Sequence, residues 1–84
     1  FKSDLRNSLL SNANLTAAYL SSAVMQGTDL QWANLEQAIL RYATSLTPGQ
    51  IQSAKIDRET KLPHYLEVHW VSDNNFHCKF KADT

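Results

Sequence analysis

Cysteine, glycine and proline are scarce in this 84-residue sequence, with one, two and two copies. A single cysteine, Cys78, excludes a disulfide within the chain and fits a reducing compartment. Two glycines, Gly27 and Gly49, leave no room for a glycine-rich phosphate cradle. Net charge is missing too, since eight Lys and Arg offset eight Asp and Glu. That balance argues against a chain whose main business is attraction to nucleic acid or to anionic lipid. No run approaches the ~18 apolar residues of a membrane span. The nearest, Leu15 to Met25, is short and carries Thr16, Ser21 and Ser22, so no membrane insertion of this segment is expected.

Catalytic patterns are also lacking. No Ser/His/Asp arrangement or paired-carboxylate motif stands out, so the chain reads as a non-enzyme with no cofactor. His69 and His77 read as neighbours across a hairpin, preceded by His64, but alternation puts Cys78 on the face opposite His77. No pair among them has zinc-site spacing, so no metal is expected. The histidines read as surface residues and Cys78 as a small buried apolar one.

What is present is a period of five. Leu5, Leu10, Leu15, Leu20, Met25, Leu30, Leu35 and Leu40 are all long aliphatic residues. Two places before each stands a small one: Ser3, Ser8, Ala13, Ala18, Ala23, Thr28, Ala33 and Ala38. Asp4, Asn14, Asp29 and Asn34 precede the aliphatic residue in half the units. An α-helix would scatter these leucines around its girth, advancing about 140° net per five residues. A flat strand would send successive ones to opposite faces, because five is odd. One buried stripe results only if the chain turns between units.

The units Ala13-Asn14-Leu15-Thr16-Ala17 and Ala33-Asn34-Leu35-Glu36-Gln37 resemble the A-(D/N)-L-x-x signature of the pentapeptide-repeat family. The resemblance implies an all-β fold, a right-handed quadrilateral β-helix with four units per coil. Eight units then make two coils, with Leu5 under Met25, Leu10 under Leu30, Leu15 under Leu35 and Leu20 under Leu40. Leucines and small residues point inward, and the other three positions face solvent. Two coils alone are marginal, because a repeat stack needs neighbours or caps. Further coils or a partner are therefore expected at the N-terminal end. Phe1, which is not a start residue, and Lys2 fall in frame as the tail of a preceding unit, so the chain reads as an internal or C-terminal piece.

The frame breaks at Ser45, where a leucine is due. Thr47 and Gln50 form a capping box, Pro48 suits the first helical position, and Leu46 and Ile51 suit a hydrophobic staple. A capping α-helix of about two turns is expected from Pro48 to near Ile56, with Ile51 and Ala54 over the last coil. The stretch Ser53 to Pro63 resembles the tail of many cyanobacterial members. Beyond Pro63, Leu66, Val68 and Trp70 alternate with Glu67 and His69. After Ser72-Asp73-Asn74-Asn75, Phe76, Cys78 and Phe80 alternate with His77, Lys79 and Lys81. This reads as a terminal β-hairpin over 65–81. The expected organisation is 1–46 β-helix, 47–57 cap and 58–84 extension.

If the interior serves stability, function is written on the outer positions. Tyr19 and Ile39 stack on one wall with Tyr42 at its corner, and the neighbouring wall carries Leu9 and Trp32. Clustered outward apolar residues suggest a protein contact surface. The expected role is a non-catalytic interaction or scaffold module with a protein partner and no nucleic acid. A hairpin folded back over one wall is the structural alternative for these residues. Two functional alternatives are weaker. Some family members mimic DNA and protect topoisomerases, but residues 1–46 balance Asp4, Asp29 and Glu36 against Lys2, Arg6 and Arg41. A repeat appendage of a larger enzyme is the other. The single cysteine favours a cytoplasmic location, and the likeness of the tail to cyanobacterial members offers a thylakoid-associated one as the alternative.

Overall fold

A computed structural model describes residues 3–82. Phe1 and Lys2, expected in frame with a preceding unit, lie outside the described residues. Two returns of the chain make a stacked body, which an irregular third layer and a hairpin close at its C-terminal end.

Each return takes 20 residues. Asp4 bridges Val24, Leu9 bridges Asp29, Asn14 bridges Asn34 and Tyr19 bridges Ile39, all in parallel. The N–H groups of Leu5, Leu10, Leu15 and Leu20 donate to the carbonyls of Val24, Asp29, Asn34 and Ile39 at 2.8–3.0 Å. Those four residues donate back to Ser3, Ser8, Ala13 and Ala18 at 2.8–2.9 Å. Each unit then turns. The small residue that opens the next unit donates its N–H to the preceding long aliphatic residue's carbonyl, as Ser8 does to Leu5 at 3.1 Å. The residue before that small one has positive φ at all eight corners: Asn7, Asn12, Ala17, Ser22, Gly27, Trp32, Gln37 and Tyr42, between 59° and 71°.

The Asp and Asn residues explain part of the corner chemistry. Asp4, Asn14, Asp29 and Asn34 each accept, through Oδ1, the N–H two residues later, at 2.9–3.1 Å. A short carboxylate or amide thus satisfies a turn donor that the ladder leaves open. Asp4 also holds the Arg6 guanidinium at 2.7 Å, and this hydrogen bond draws its pKa down to about 2.

Met25, Leu30, Leu35 and Leu40 are fully buried, whereas Leu5, Leu10, Leu15 and Leu20 below them are only half-buried. Among the described residues Thr28 is the one polar residue in the core, and its hydroxyl donates to the Leu5 carbonyl at 2.6 Å. In the second coil the positions before the leucine (Val24, Asp29, Asn34 and Ile39) are half-buried rather than fully solvent-facing.

The ladder does not stop at two coils. Thr44 bridges Val24, Lys55 bridges Asn34 and Lys61 bridges Ile39, so the offset grows from 20 to 21 and then 22 residues. The frame break is a one-residue slip: Ser45 takes positive φ and Leu46, not Ser45, enters the core.

Helix α1 runs Pro48–Gln52, five residues rather than the two turns expected. It starts with the capping box: Thr47 Oγ1 accepts from the Gln50 N–H and Gln50 Oε1 from the Thr47 N–H. It ends early because the second coil claims the following backbone. The Lys55 N–H donates to Ala33 O, and Lys55 O accepts from the Leu35 N–H. Those bonds need extended backbone, which ends the helix before Ile56. Ile51 and Ala54 are both buried over the second coil.

Strands β1 (Leu66–Trp70) and β2 (Phe76–Phe80) pair antiparallel, with Val68 opposite Cys78 and His69 opposite His77. Leu66 and Cys78 are buried, and burial pushes the Cys78 thiol up from its usual pKa. A raised thiol pKa makes a poor nucleophile.

Candidate interaction surface

The hairpin covers the C-terminal end of the stack and packs against α1, leaving Leu9 and Tyr19 on the walls exposed. Three devices hold it. The Gln52 amide pairs with β2 as a strand would, donating to Phe76 O at 2.7 Å and accepting from the Cys78 N–H at 2.8 Å. The Tyr65 hydroxyl donates to Ala43 O at 2.7 Å and accepts from the Leu46 N–H at 3.2 Å. The Arg58 guanidinium lies 4.8 Å over the Trp70 ring. Residue types alone did not single out Gln52, Tyr65 or Arg58, because each works through a partner far away in sequence.

The outward residues therefore remain available. Leu9 is 84% exposed, Tyr19 76%, Tyr42 72% and Trp32 70%, while Ile39 is half-buried. Tyr19 and Ile39 sit one above the other through their parallel bridge, and Lys61 continues the column. Tyr42 borders a shallow groove of about 310 Å³ with Arg41, Leu62, Pro63 and His64. Leu9 is bridged to Asp29, whereas Trp32 belongs to a different groove beside the hairpin turn.

Corner chemistry sets these residues apart. Where Asp or Asn precedes the leucine, it caps the turn. Leu9, Tyr19, Val24 and Ile39 hold the same position without a capping oxygen. Trp32 and Tyr42 hold positive-φ corners, where a bulky side chain costs roughly 1–2 kcal/mol. Neither local geometry nor the core accounts for large exposed side chains at Leu9, Tyr19, Trp32 and Tyr42.

Among the described residues, no group of three His, Cys, Asp or Glu could hold a metal ion. No helix is long and apolar enough to cross a membrane. The period of five, the bridges 20 residues apart and the aliphatic interior converge on one family description. Residues 3–43 match the model for pentapeptide repeats, in eight copies. Pentapeptide repeats imply a β-helix-type fold, and proteins that carry them are in general non-catalytic interaction modules. Neither a curated protein nor a solved structure shows significant similarity to the chain.

Proposed function

We propose that this pentapeptide-repeat chain is a protein-interaction and scaffold module, built on a right-handed quadrilateral β-helix, that binds a partner protein through its outer walls. The observation that carries this reading is that exposed Leu9 and Tyr19 stand at the position where Asp4, Asn14, Asp29 and Asn34 cap the turn. Tyr19, Ile39 and Tyr42 form one contact area, and Leu9 and Trp32 contribute on the adjacent side. Exposed apolar clusters on a rigid wall offer binding area with little to reorganise on binding.

The N-terminal end supports a second element of the proposal. In the second coil the carbonyls of Val24, Asp29, Asn34 and Ile39 accept from the coil below. The equivalent carbonyls of Asp4, Leu9, Asn14 and Tyr19 have no such partner among the described residues. Further coils or a partner protein cover that edge and complete the burial of Leu5, Leu10, Leu15 and Leu20.

Co-purification of partners with the full-length protein tests the wall assignment. Tyr19→Glu, Ile39→Glu and Trp32→Glu are expected to abolish capture of a partner while preserving the circular dichroism spectrum. Unchanged capture by all three variants would remove the surface from consideration.

A further inference from the structure

A groove of about 600 Å³ lies between the second coil and the hairpin turn. Its lining comes from three segments: Trp32 and Glu36, Gln52 to Asp57, and Asp73 to Phe76. The chain is neutral as a whole, yet this groove sets three carboxylates (Glu36, Asp57 and Asp73) against one ammonium. That ammonium, Lys55 Nζ, lies 3.7 Å from Glu36 Oε1.

Asp57 is held ionised. Burial pushes its pKa up, but hydrogen bonds from the Gln37 N–H, the Thr60 hydroxyl and the Glu59 N–H outweigh that and hold it below the usual value. The Gln37 and Glu59 N–H groups both reach Oδ1, at 3.0 Å. The Thr60 hydroxyl, 3.1 Å from the same atom, shares its proton with Leu35 O at 2.8 Å. No donor among the described residues reaches Oδ2, so one carboxylate oxygen stays free to accept. Trp32 presents an indole at the rim that is 70% exposed. Among the described residues the cation seated on an aromatic face is Arg58, over Trp70, which leaves the Trp32 face open.

We infer that this groove is a recognition slot for an arginine side chain of the partner polypeptide, its guanidinium stacked on Trp32 and turned to the carboxylates of Asp57, Asp73 and Glu36. Charge selects a cation over a neutral ligand such as a sugar. The lack of a metal-holding cluster among the described residues separates it from a divalent-ion site. A planar guanidinium stacks on indole and bonds carboxylates in a fork, which an ammonium cannot do. The inference rests on the interaction-module reading for the nature of the partner. It does not depend on the Tyr19 and Ile39 wall.

The test titrates the whole chain with a short acetylated Gly-Arg-Gly amide and with its citrulline counterpart, following both tryptophan indole resonances by NMR. The expected result is a saturable shift of the Trp32 indole by the arginine peptide, with the citrulline peptide about tenfold weaker or more. Trp32→Ala and Asp73→Asn are each expected to weaken binding by about fivefold or more, and added salt to weaken it further. Asp73→Asn lies in the hairpin turn, outside the core, and keeps the test alive if Trp32→Ala fails to fold. Equal binding of the citrulline peptide, no saturation up to about 20 mM, or shifts confined to Trp70 would overturn the inference. Tyr19→Glu should leave peptide binding unchanged. Loss of partner capture in that variant with peptide binding intact supports the wall and the groove separately. Intact capture with peptide binding lost in Asp73→Asn sinks the role of the groove in capture while sparing the wall.

Discussion

The two regular coils are near-copies in sequence, yet they stand in different physical situations. Both place a long aliphatic residue every fifth position and a small residue two places earlier. Met25, Leu30, Leu35 and Leu40 are fully buried; the residues just before them bond to the coil below, and the N–H groups of Met25, Leu35 and Leu40 bond to the layer above. Leu5, Leu10, Leu15 and Leu20 point the same way but stay half-buried, with backbone bonds to one side. The repeat thus encodes the direction of a side chain. Its burial, and with it the energy, comes from the layer above and the layer below. The lesson extends to the C-terminal end, where a non-repeating segment supplies that layer with Leu46, Ile51, Ala54 and Ile56.

The sharpest test of this contrast removes one leucine from each coil. Leu35→Ala is expected to lower the unfolding free energy by about 3–4 kcal/mol, and Leu15→Ala by about half as much. Urea midpoints at constant slope measure both. Equal losses would mean that the two coils are buried alike and would break the comparison. A smaller effect is expected where the irregular layer holds the hairpin. Gln52→Ala removes both bonds to β2 and is expected to cost about 2 kcal/mol. Hydrogen exchange should quicken at the Cys78 amide while the Leu35 amide keeps its protection. Loss of protection at both would show that the end layer and the coils unfold as one unit.

Corners offer a finer comparison. Gly27 is the glycine among eight left-handed corners, and a Cβ there would collide with the Asn7 side chain. Gly27→Ala is expected to cost about 1 kcal/mol in thermal or urea unfolding, because Asn7 must move and the backbone loses its relief. No loss would show that the coil absorbs a Cβ at this corner as it does at Ala17.

The smallest effect concerns acid. The folded-state pKa of Asp57 lies below its ordinary value, so its contribution is present above the unfolded carboxylate range. That contribution is lost as pH falls through the folded pKa, below about pH 4. Asp4, drawn to about 2 by Arg6, follows the same sign but is fully exposed, and solvent screens its ion pair. Between about pH 5 and pH 2, the urea midpoint should fall less steeply in Asp57→Asn than in the parent chain. Parallel curves would assign the acid sensitivity elsewhere.

Legibility differed between regions for a physical reason. Residues 3–43 could be read because one local rule repeats: each leucine, small residue and corner answers to neighbours within five positions. The capping box at Thr47 and Gln50 could be read for the same reason, since its partners lie three residues apart. Helix length could not, because Lys55 is drawn into extended backbone by Ala33 and Leu35. Nor could the groove beside Trp32, whose sides lie about forty residues apart in sequence and meet only when the hairpin docks. The pairing of Leu9 with Trp32 on one wall was read from position alone. The structure bridges Leu9 to Asp29, in the same five-residue unit as Trp32, and sets Trp32 in the groove beside the hairpin turn.

By itself the sequence determined the period, the inward stripe and the place where the frame slips, because each follows from side-chain size and turn chemistry over a few residues. The tertiary structure decided how far each leucine is buried, where α1 ends and where the hairpin lies. It also decided that carboxylates from three distant segments share one groove with an exposed indole. Those outcomes depend on which backbone donors and acceptors remain open once the coils have stacked, and that inventory exists only in the folded chain.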